Sequence, residues 1–313
     1  MKRIVTVTMN PAVDASSSTD RVAADEKLRC EPLEREPGGG GINVARAIGK
    51  LGGDALALYP AGGTMGELLG ELLEPEPLRH QRLDIAGSTR ENVTIRESGS
   101  DRQYRFVMPG PELEQAEWQA VLESIAGLDP APDFVVGSGS LPEGVPDDFF
   151  ARLAETSQSR GARFVLDTSG DALREGLSEA VFLVKPNLRE LGQVAGRDVA
   201  EDPDQERATR EIIDQGRAEL VVVSLGGAGV LLVTGSHVER IPAPTVPIRS
   251  KVGAGDSTVA GIVLGLARGM EIEDAVRLGV AAGAAAVMTP GSELCRREDT
   301  ERFYDRIRRR PAE

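Results

Sequence analysis

The sequence predicts an α/β protein in which a mostly parallel sheet is covered by helices on both sides. Short apolar runs alternate with longer segments of helical periodicity along most of the 313 residues, a pattern that favours parallel strands joined by helices. Residues 134–136 and 220–223 are apolar throughout, which is typical of strands that are buried on both faces. Hydrophobic residues make up 40% of the chain, enough for a sizeable core.

The predicted elements follow one another in a regular order. Candidate strands cover residues 4–8, 55–59, 134–137, 163–166, 182–184, 220–224 and 229–233. Candidate helices cover residues 41–51, 66–73, 114–124, 147–158, 205–215, 257–268, 272–287 and 299–309. Because ligands bind beyond the carboxyl ends of parallel strands, we expect functional residues in the loops that follow these strands.

Two segments interrupt the alternation, at residues 15–36 and 83–107. Both are extended and of mixed polarity, and Gly99 separates two strand-like runs in the second segment, which indicates a hairpin. We therefore expect a small β-sheet inserted into one domain that covers residues 1–313. Such a sheet needs a covering partner for its apolar face, either an active site beneath a lid or a second subunit.

Composition excludes several classes of protein. The net charge of −14 would repel a polyanion, so we expect no nucleic-acid partner. No run of about 18 apolar residues is present, and we expect no membrane partner. The first residues enter a strand-like run without the cleavage site of a secretory signal. The only cysteines, Cys30 and Cys295, provide no disulfide framework, so a cytoplasmic location is expected.

The strongest local signal is the run Gly253, Ala254, Gly255 and Asp256, which opens an apolar helix. Small residues let successive backbone N–H groups turn toward one point, and the helix N-terminus adds positive dipole, so the turn suits an anion. Asp256 could accept a proton from a substrate hydroxyl that attacks phosphorus. It could equally be an N-cap, and the motif alone leaves both interpretations open.

A second signal, Lys185-Pro186-Asn187-Leu188-Arg189-Glu190, follows an apolar strand. If Pro186 opens a helix, Asn187 and Glu190 share one face and could orient water or Mg²⁺, while Lys185 offers a charge for phosphate. An ordinary helix cap explains the same residues.

A third signal is the glycine run 38–41, which leads into a helix that carries Asn43. Glycines allow close backbone approach to a ligand, and Asn43 offers both a donor and an acceptor to a sugar. No Lys-Ser/Thr follows, so the run is not a Walker loop. A flexible hinge is the competing interpretation.

Other candidate residues carry weaker signals. Asp14 and Ser140 follow strands and could meet sugar hydroxyls, and Ser224 to Gly229 links two strands and could face a nucleotide. Arg90 and Arg105 fall in the inserted sheet, where arginines are commonly plain surface residues. The two histidines lack partner motifs, so neither a His-based triad nor a zinc site is expected.

Taken together and in this order, the three motifs resemble those of the ribokinase-like, or PfkB-type, carbohydrate kinases. The resemblance covers nearly the whole chain through residues 38–44, 185–190 and 253–256. It implies a three-layer α/β/α sandwich with a small inserted β-sheet lid, dimerising lid to lid. Within the family, residues 36–48, 103–110 and 222–226 are similar to the branch that phosphorylates fructose 6-phosphate.

The resemblance implies transfer of the ATP γ-phosphoryl group to O1 of fructose 6-phosphate. Asp256 would be the base, the amides of Gly253, Ala254 and Gly255 the anion hole, and Asn187 and Glu190 the groups that hold Mg²⁺ through water. The implied nucleotide contacts are Lys185, Asn187, Ser224, Gly226 and Gly229. The implied sugar-phosphate contacts are Asp14, Gly39, Gly40, Asn43, Ser140, Arg90 and Arg105, with Lys27 from a neighbouring lid. An implied K⁺ site would use Ser250, Val252, Ala286 and Gly291.

Three other activities compete with this expectation. Kinases for fructose 1-phosphate and tagatose 6-phosphate usually carry Gly-Gly-Lys-Gly in the first motif, where this chain has four glycines at 38–41. A non-catalytic sugar-phosphate sensor on the same fold is the third alternative, which retention of Asp256 beside an intact glycine run disfavours.

Overall fold

The computed structural model describes residues 2–100 and 102–309. Asp101, within the predicted insertion 83–107, lies outside the described residues, as do Met1 and residues 310–313 of the predicted domain. Strands β1 to β13 are Ile4–Val7, Ala12–Thr19, Glu34–Gly38, Ala55–Ala61, Arg79–Asp84, Arg90–Glu97, Arg102–Phe106, Phe134–Ser138, Arg163–Asp167, Val181–Val184, Ala218–Ser224, Val230–Thr234 and Val238–Ile241. Helices α1 to α10 are Gly40–Lys50, Gly63–Leu73, Gln115–Gly127, Phe149–Ser159, Gly170–Gly176, Leu188–Ala195, Asp202–Asp214, Ala254–Ala267, Ile272–Ala286 and Arg297–Arg308.

The main sheet has nine strands in the order β13-β12-β11-β10-β9-β8-β1-β4-β5. All neighbours from β11 to β5 are parallel, while β12 and β13 are antiparallel at one edge. The predicted mostly parallel sheet is therefore confirmed. The carboxyl ends of β1, β8, β9, β10 and β11 meet at one edge of the sheet.

Side chains of the central strands alternate between two apolar layers, because successive residues of a strand point to opposite faces. In β11, Leu220 and Val222 belong to the apolar layer that includes helices α1, α8 and α9, whereas Val221 and Val223 belong to the opposite layer, which includes α3, α4 and α7. This arrangement confirms the three-layer sandwich. No helix in residues 2–100 and 102–309 combines the length and apolar character required to cross a bilayer.

The inserted sheet has four strands in the order β3-β2-β6-β7. The predicted hairpin around Gly99 is the antiparallel pair β6–β7. The bounds differ from the predicted segments 15–36 and 83–107, since β2 begins at Ala12 and residues 83–84 belong to β5 of the main sheet. β5 is an edge strand with several exposed residues and lacks an apolar run, which explains why the sequence did not indicate it.

Helix α8, which begins at the Gly253–Asp256 motif, packs closely against α9. A Cβ atom on Gly261 would lie 2.7 Å from the Cα atom of Gly279 and 2.8 Å from the carbonyl oxygen of Leu278. Because both neighbours are backbone atoms, neither can move without displacing α9. Glycine at this position therefore sets the depth at which α8 sits in the core.

Replacing Gly261 with alanine should destabilise the fold by about 1–3 kcal/mol, since an added methyl overpacks a rigid contact. The measurement is the midpoint of urea unfolding. Gly70→Ala is the matched control, because Gly70 lies in α2 with no other group within 4 Å of the position that a methyl would occupy. That control should be neutral or stabilising by about 0.5–1 kcal/mol. Equal unfolding midpoints for the two variants would contradict the packing analysis.

Candidate active site

Asp256 lies in the first turn of α8 and accepts a hydrogen bond from Asn43 of α1. The Nδ2 atom of Asn43 donates to Oδ2 of Asp256 at 2.9 Å. Gly253, with φ of 72°, occupies the N-cap position, so the interpretation of Asp256 as an N-cap is wrong. A Cβ atom on Gly253 would lie 2.2 Å from Cδ2 of Leu294, so the turn requires glycine. The first N–H groups of α8 have no intrahelical acceptor and remain available to an anion.

The carboxyl group of Asp256 is unusually basic. Burial raises its pKa from 3.8 to about 7, and the negative charges of Asp167 and Asp14 act in the same direction. The Asn43 hydrogen bond and the ammonium group of Lys185 oppose the rise because they favour the ionised form. Asp256 can therefore both hold and release a proton near neutral pH.

Lys185, directly after β10, is a buried ammonium group among carboxylates. Its Nζ lies 3.0 Å from Oδ1 of Asp167. Burial opposes the charge, but Asp167, Glu190 and Asp256 outweigh it and raise the pKa of Lys185. A Cβ atom on Gly255 would be 3.6 Å from Nζ, so Lys185 stands beside the α8 turn. Asp167 is the carboxylate paired directly with this ammonium group, whereas Glu190 and Asp256 act on it through their charge.

Asp167 was not identified from the sequence. It is the last residue of β9 and follows the predicted strand 163–166 directly. The rule that selected Lys185 and Ser140, namely a polar residue at the carboxyl end of a strand, would also have selected Asp167. No local motif surrounds it, and only its ion pair with Lys185 reveals its place in the site.

Asn187 and Glu190 form a capping box at the start of α6. Oε2 of Glu190 accepts from the Asn187 backbone N–H at 2.8 Å, and Oδ1 of Asn187 accepts from the Glu190 N–H at 2.9 Å. The helix begins at Leu188 after Asn187 as N-cap, whereas Pro186 was expected to open it. Burial raises the pKa of Glu190. The capping interpretation is correct, and it leaves Oε1 of Glu190 as the carboxylate oxygen outside the box.

Three of the predicted nucleotide residues, Ser224, Gly226 and Gly229, lie at the end of β11 and in the turn after it. The Ser224 backbone N–H donates to the Pro186 carbonyl at 2.8 Å, which places Ser224 beside Asn187. Gly226 is the first residue of a short 3₁₀ turn, and no other group lies within 4 Å of the position that a methyl on it would occupy. A methyl on Gly229, in contrast, would lie 2.0 Å from the Ile241 carbonyl oxygen. An open cavity of about 1380 Å³ begins beside this turn, at Leu225 and Ala228. None of the residues assigned to the nucleotide lines this cavity, but Leu188 and Leu225, which do, directly follow Asn187 and Ser224 in the chain.

The glycine run packs closely against the ends of β1 and β8. Gly39 has φ of 112°, and a methyl there would lie 2.7 Å from Cγ2 of Thr8. A methyl on Gly40 would lie 2.4 Å from Oγ of Ser138. These glycines allow three chain segments to approach one another closely, and this packing explains the glycine run without a flexible hinge. Ser140, in the loop after β8, remains exposed.

Asp14, on β2, is held by a residue that the sequence did not single out as functional. Nδ2 of Asn92 donates to Oδ1 of Asp14 at 2.8 Å, and the Met108 backbone N–H donates to Oδ1 of Asn92 at 3.1 Å. Asp14 and Asn92 are register partners in the parallel strand pair β2–β6. A methyl on Gly38 would lie 2.3 Å from Oδ2 of Asp14, so glycine keeps that oxygen accessible.

The three cations assigned to the sugar phosphate have different surroundings. Arg90 donates to the carbonyl oxygens of Asn10 at 2.8 Å and Met108 at 3.1 Å, and burial lowers its pKa while Asp14 opposes that change. Arg105 is exposed and lines a cavity of about 50 Å³ beside Asp14. Lys27 is exposed in the β2–β3 connection and does not line this cavity.

The same cavity brings together most of the predicted K⁺ residues. Ser250, Val252 and Gly291 line it, and Oγ of Ser250 donates to the Gly291 carbonyl at 2.9 Å. Ala286 does not line the cavity, and its carbonyl accepts from Oγ1 of Thr289 at 2.7 Å. Among the described residues, no group of three or more His, Cys, Asp and Glu side chains could hold a metal ion by itself.

The pKa of Asp256 can be measured directly by ¹³C NMR of the side-chain carboxyl, with Asp256→Asn to assign the signal. The titration midpoint should lie near 7 in the ligand-free protein. In Lys185→Met the midpoint should move higher, since loss of the ammonium charge disfavours the ionised carboxylate. A midpoint near that of an ordinary, unperturbed aspartate in the wild-type protein would contradict the electrostatic analysis.

The comparisons with known proteins agree with one another. A family model described as pfkB family carbohydrate kinase matches residues 5–299. ATP-dependent 6-phosphofructokinase isozyme 2 of Mycobacterium tuberculosis is 47% identical over 97% of this chain and 89% of its own length. Phosphofructokinase-2 from Escherichia coli is similar in its complex with potassium (TM-score 0.95, 41% identity) and with fructose-6-phosphate (TM-score 0.93, 40% identity), each covering 99% of this chain and 100% of the other. The chain belongs to the pfkB family of carbohydrate kinases.

Proposed function

We propose that this chain is an ATP-dependent 6-phosphofructokinase, which transfers the γ-phosphoryl group of ATP to O1 of fructose 6-phosphate. The observation that carries the proposal is Asp256, a carboxyl group with a pKa of about 7 held by Asn43 at the amide-rich start of α8. The near full-length similarity to a named 6-phosphofructokinase of M. tuberculosis supports the choice of substrate.

Asp256 acts as the general base. Since Oδ2 accepts the Asn43 hydrogen bond, Oδ1 is the oxygen that takes the O1 proton. O1 forms a bond to the γ-phosphorus as the bond from that phosphorus to the β–γ bridging oxygen breaks, and ADP leaves. A base whose pKa lies near the working pH combines a useful ionised fraction with sufficient driving force for proton transfer.

The backbone amides of Gly253, Ala254 and Gly255 stabilise the migrating phosphoryl group. Gly253 is the N-cap of α8, and Ala254 and Gly255 are its first two residues, where unpaired N–H groups and the helix dipole favour negative charge. Lys185, next to this turn, supplies a fixed positive charge at the phosphates. Such donors need no reorganisation during the reaction, which is why fixed dipoles are effective in phosphoryl transfer.

Lys185, Asn187, Ser224, Gly226 and Gly229 form the nucleotide side of the site. Asn187 and Glu190 would hold Mg²⁺ through water, with Oε1 of Glu190 as the carboxylate oxygen that the capping box leaves available. This fits Mg²⁺, which commonly binds through few protein ligands together with substrate phosphates. When bound, Mg²⁺ neutralises charge on the transferred phosphates.

The sugar side of the site consists of Asp14, Gly39, Gly40, Asn43 and Ser140. Arg90 lies near Asp14 but already donates to two carbonyl oxygens, so Arg105, which faces the 50 Å³ cavity, is the principal cation for the 6-phosphate. K⁺ binds near Ser250, Val252 and Gly291, whose loops meet at this cavity. The E. coli relative solved with potassium supports a monovalent cation.

The small sheet acts as a lid, and two lids pack together in a homodimer. Phe106, Val107 and Met108 at the end of β7 are 51%, 62% and 42% exposed, and Leu28 and Leu33 in the β2–β3 connection are also exposed. A second subunit would cover these apolar side chains. The same contact would carry the exposed Lys27 toward the neighbouring subunit's sugar-phosphate site.

The substrate assignment is tested by measuring ATP consumption with fructose 6-phosphate, fructose 1-phosphate and tagatose 6-phosphate. The value of kcat/KM should be roughly tenfold or more higher for fructose 6-phosphate. In Asp256→Asn, kcat should fall by about three orders of magnitude while both substrates still bind, because only the proton acceptor is lost. Binding without turnover by the wild-type chain would instead favour the sensor, and near-normal turnover by Asp256→Asn would refute the base.

Arg105→Gln should raise KM for fructose 6-phosphate by about tenfold with a smaller change in kcat, since one charge-assisted hydrogen bond to the 6-phosphate is lost. Arg102→Gln is the matched control. Arg102 lies on the same strand three residues away, and its side chain points to the opposite face of the sheet. If both variants bind the sugar phosphate equally well, Arg105 does not receive the phosphate.

A further inference from the structure

Arg46 is a buried cation outside the set of substrate-binding and catalytic residues proposed above. It lies on α1, one turn after Asn43, and only 2% of its surface is exposed. Its Nε and Nη2 atoms donate to Oε1 of Glu76 at 2.9 and 2.6 Å. A buried guanidinium group requires such pairing, because an isolated charge in the core is costly.

The remaining nitrogen of Arg46, Nη1, carries two N–H groups and faces three acceptors from separate parts of the chain. It donates to the carbonyl oxygens of Pro37 and Ser292, each at 3.1 Å, and contacts Oδ1 of Asn43 at 3.4 Å. Ser292 in turn donates through its backbone N–H and its hydroxyl to Oε2 of Glu36 at 2.9 Å. Arg46 therefore joins the end of β3, helix α1 and the loop after α9.

The contacts of Asn43 with Arg46 and with Asp256 together fix which way its carboxamide points. A guanidinium group only donates, so it selects the carbonyl oxygen Oδ1. The NH₂ group must then face the opposite direction, where Oδ2 of Asp256 accepts from it at 2.9 Å. An inverted carboxamide would place NH₂ against the guanidinium and an oxygen against the carboxylate, and both contacts would be repulsive.

We propose that Arg46 is a positioning residue for phosphoryl transfer, which fixes the Asn43 carboxamide so that Asn43 holds one oxygen of Asp256 and leaves the other for the substrate hydroxyl. The inference rests on the proposed role of Asp256 as the base. It adds a function for a charged residue that touches neither substrate. The Arg46–Glu76 ion pair anchors the guanidinium, and the carbonyl oxygens of Pro37 and Ser292 set its plane.

A purely structural ion pair would behave differently from a positioning residue. Loss of a structural pair lowers stability but leaves the turnover of each folded molecule unchanged. Loss of a positioning residue lowers kcat in folded enzyme and changes the titration of Asp256. The charged groups that act on Asp256 are Asp167, Asp14 and Lys185. An Arg46 variant leaves all three in place.

The experiment compares Arg46→Lys with Arg79→Lys and Asp256→Asn. Lysine keeps the positive charge but lacks the planar fork that reaches Glu76 and Asn43 together. Arg79 is the matched control, because it also forms a two-bond pair, with Asp54, but its side chain is 61% exposed and remote from Asn43. kcat, both KM values and the pH dependence of kcat are measured at a temperature where circular dichroism shows each variant folded.

In Arg46→Lys, kcat should fall by about 10- to 100-fold, as expected when a reacting group is slightly misplaced, while KM for ATP stays within about twofold. The acidic limb of the kcat–pH profile should move to higher pH, because the Asn43 hydrogen bond that favours ionised Asp256 is weakened. Arg79→Lys should match the wild type. Wild-type kcat and an unmoved limb in folded Arg46→Lys would overturn the inference, even if the melting temperature falls.

Two further outcomes also test the role of Arg46. If Arg46→Lys does not fold, Glu76→Gln is measured instead. A fall in kcat with unchanged KM for ATP then supports positioning, and unchanged kcat overturns it. If Asp256→Asn keeps wild-type kcat, the proposed base is wrong and positioning through it is overturned with it. If Asp256→Asn is inactive while Arg46→Lys is fully active, only the role of Arg46 fails.

Discussion

The hydrogen bond between Asn43 and Asp256 joins two residues that are 213 positions apart in the sequence. It links helix α1, which the glycine run at the end of β3 opens, to the glycine turn that opens α8. The bond can form only if α1 and α8 lie side by side on one face of the main sheet and if both glycine segments allow close approach. The parallel sheet, the close α8–α9 packing and the glycines at 38–41 and 253 therefore all serve the placement of one carboxylate.

Charge is the second constraint on this region. The end of β9 and the first turns of α6 and α8 bring Asp167, Glu190 and Asp256 near the ammonium group of Lys185. In a chain with a net charge of −14, such a cluster would repel phosphates. In the proposed mechanism, the amides at the start of α8 and a divalent cation offset this repulsion for the two phosphorylated substrates. The elevated pKa of Asp256 results from the same crowding, since neighbouring carboxylates and burial both favour its protonated form.

Much of the architecture could be predicted, because central strands are apolar runs and their helices have strong periodicity. The edge strands β5 and β13 escaped prediction since they are largely polar and lack such runs. Local motifs identified Asp256, Lys185 and Asn43, each next to glycines or at a strand end. Asp167 also ends a strand but has no motif around it, and Asn92 and Arg46 have neither signal, so the contacts of all three residues depend on partners that are distant in sequence. For Asn187 and Glu190, by contrast, the spacing of three residues in the sequence was enough to predict the helix cap that the structure contains.

The most direct test is a crystal structure with fructose 6-phosphate and a non-hydrolysable ATP analogue bound together with Mg²⁺. O1 of the sugar should lie within hydrogen-bond distance of Oδ1 of Asp256, about 2.6–3.2 Å, while Oδ2 keeps its bond to Asn43. The γ-phosphate should contact the amides of Gly253 to Gly255, in line with O1. A sugar bound with O1 remote from Asp256, or a γ-phosphate outside the glycine turn, would contradict the proposed mechanism.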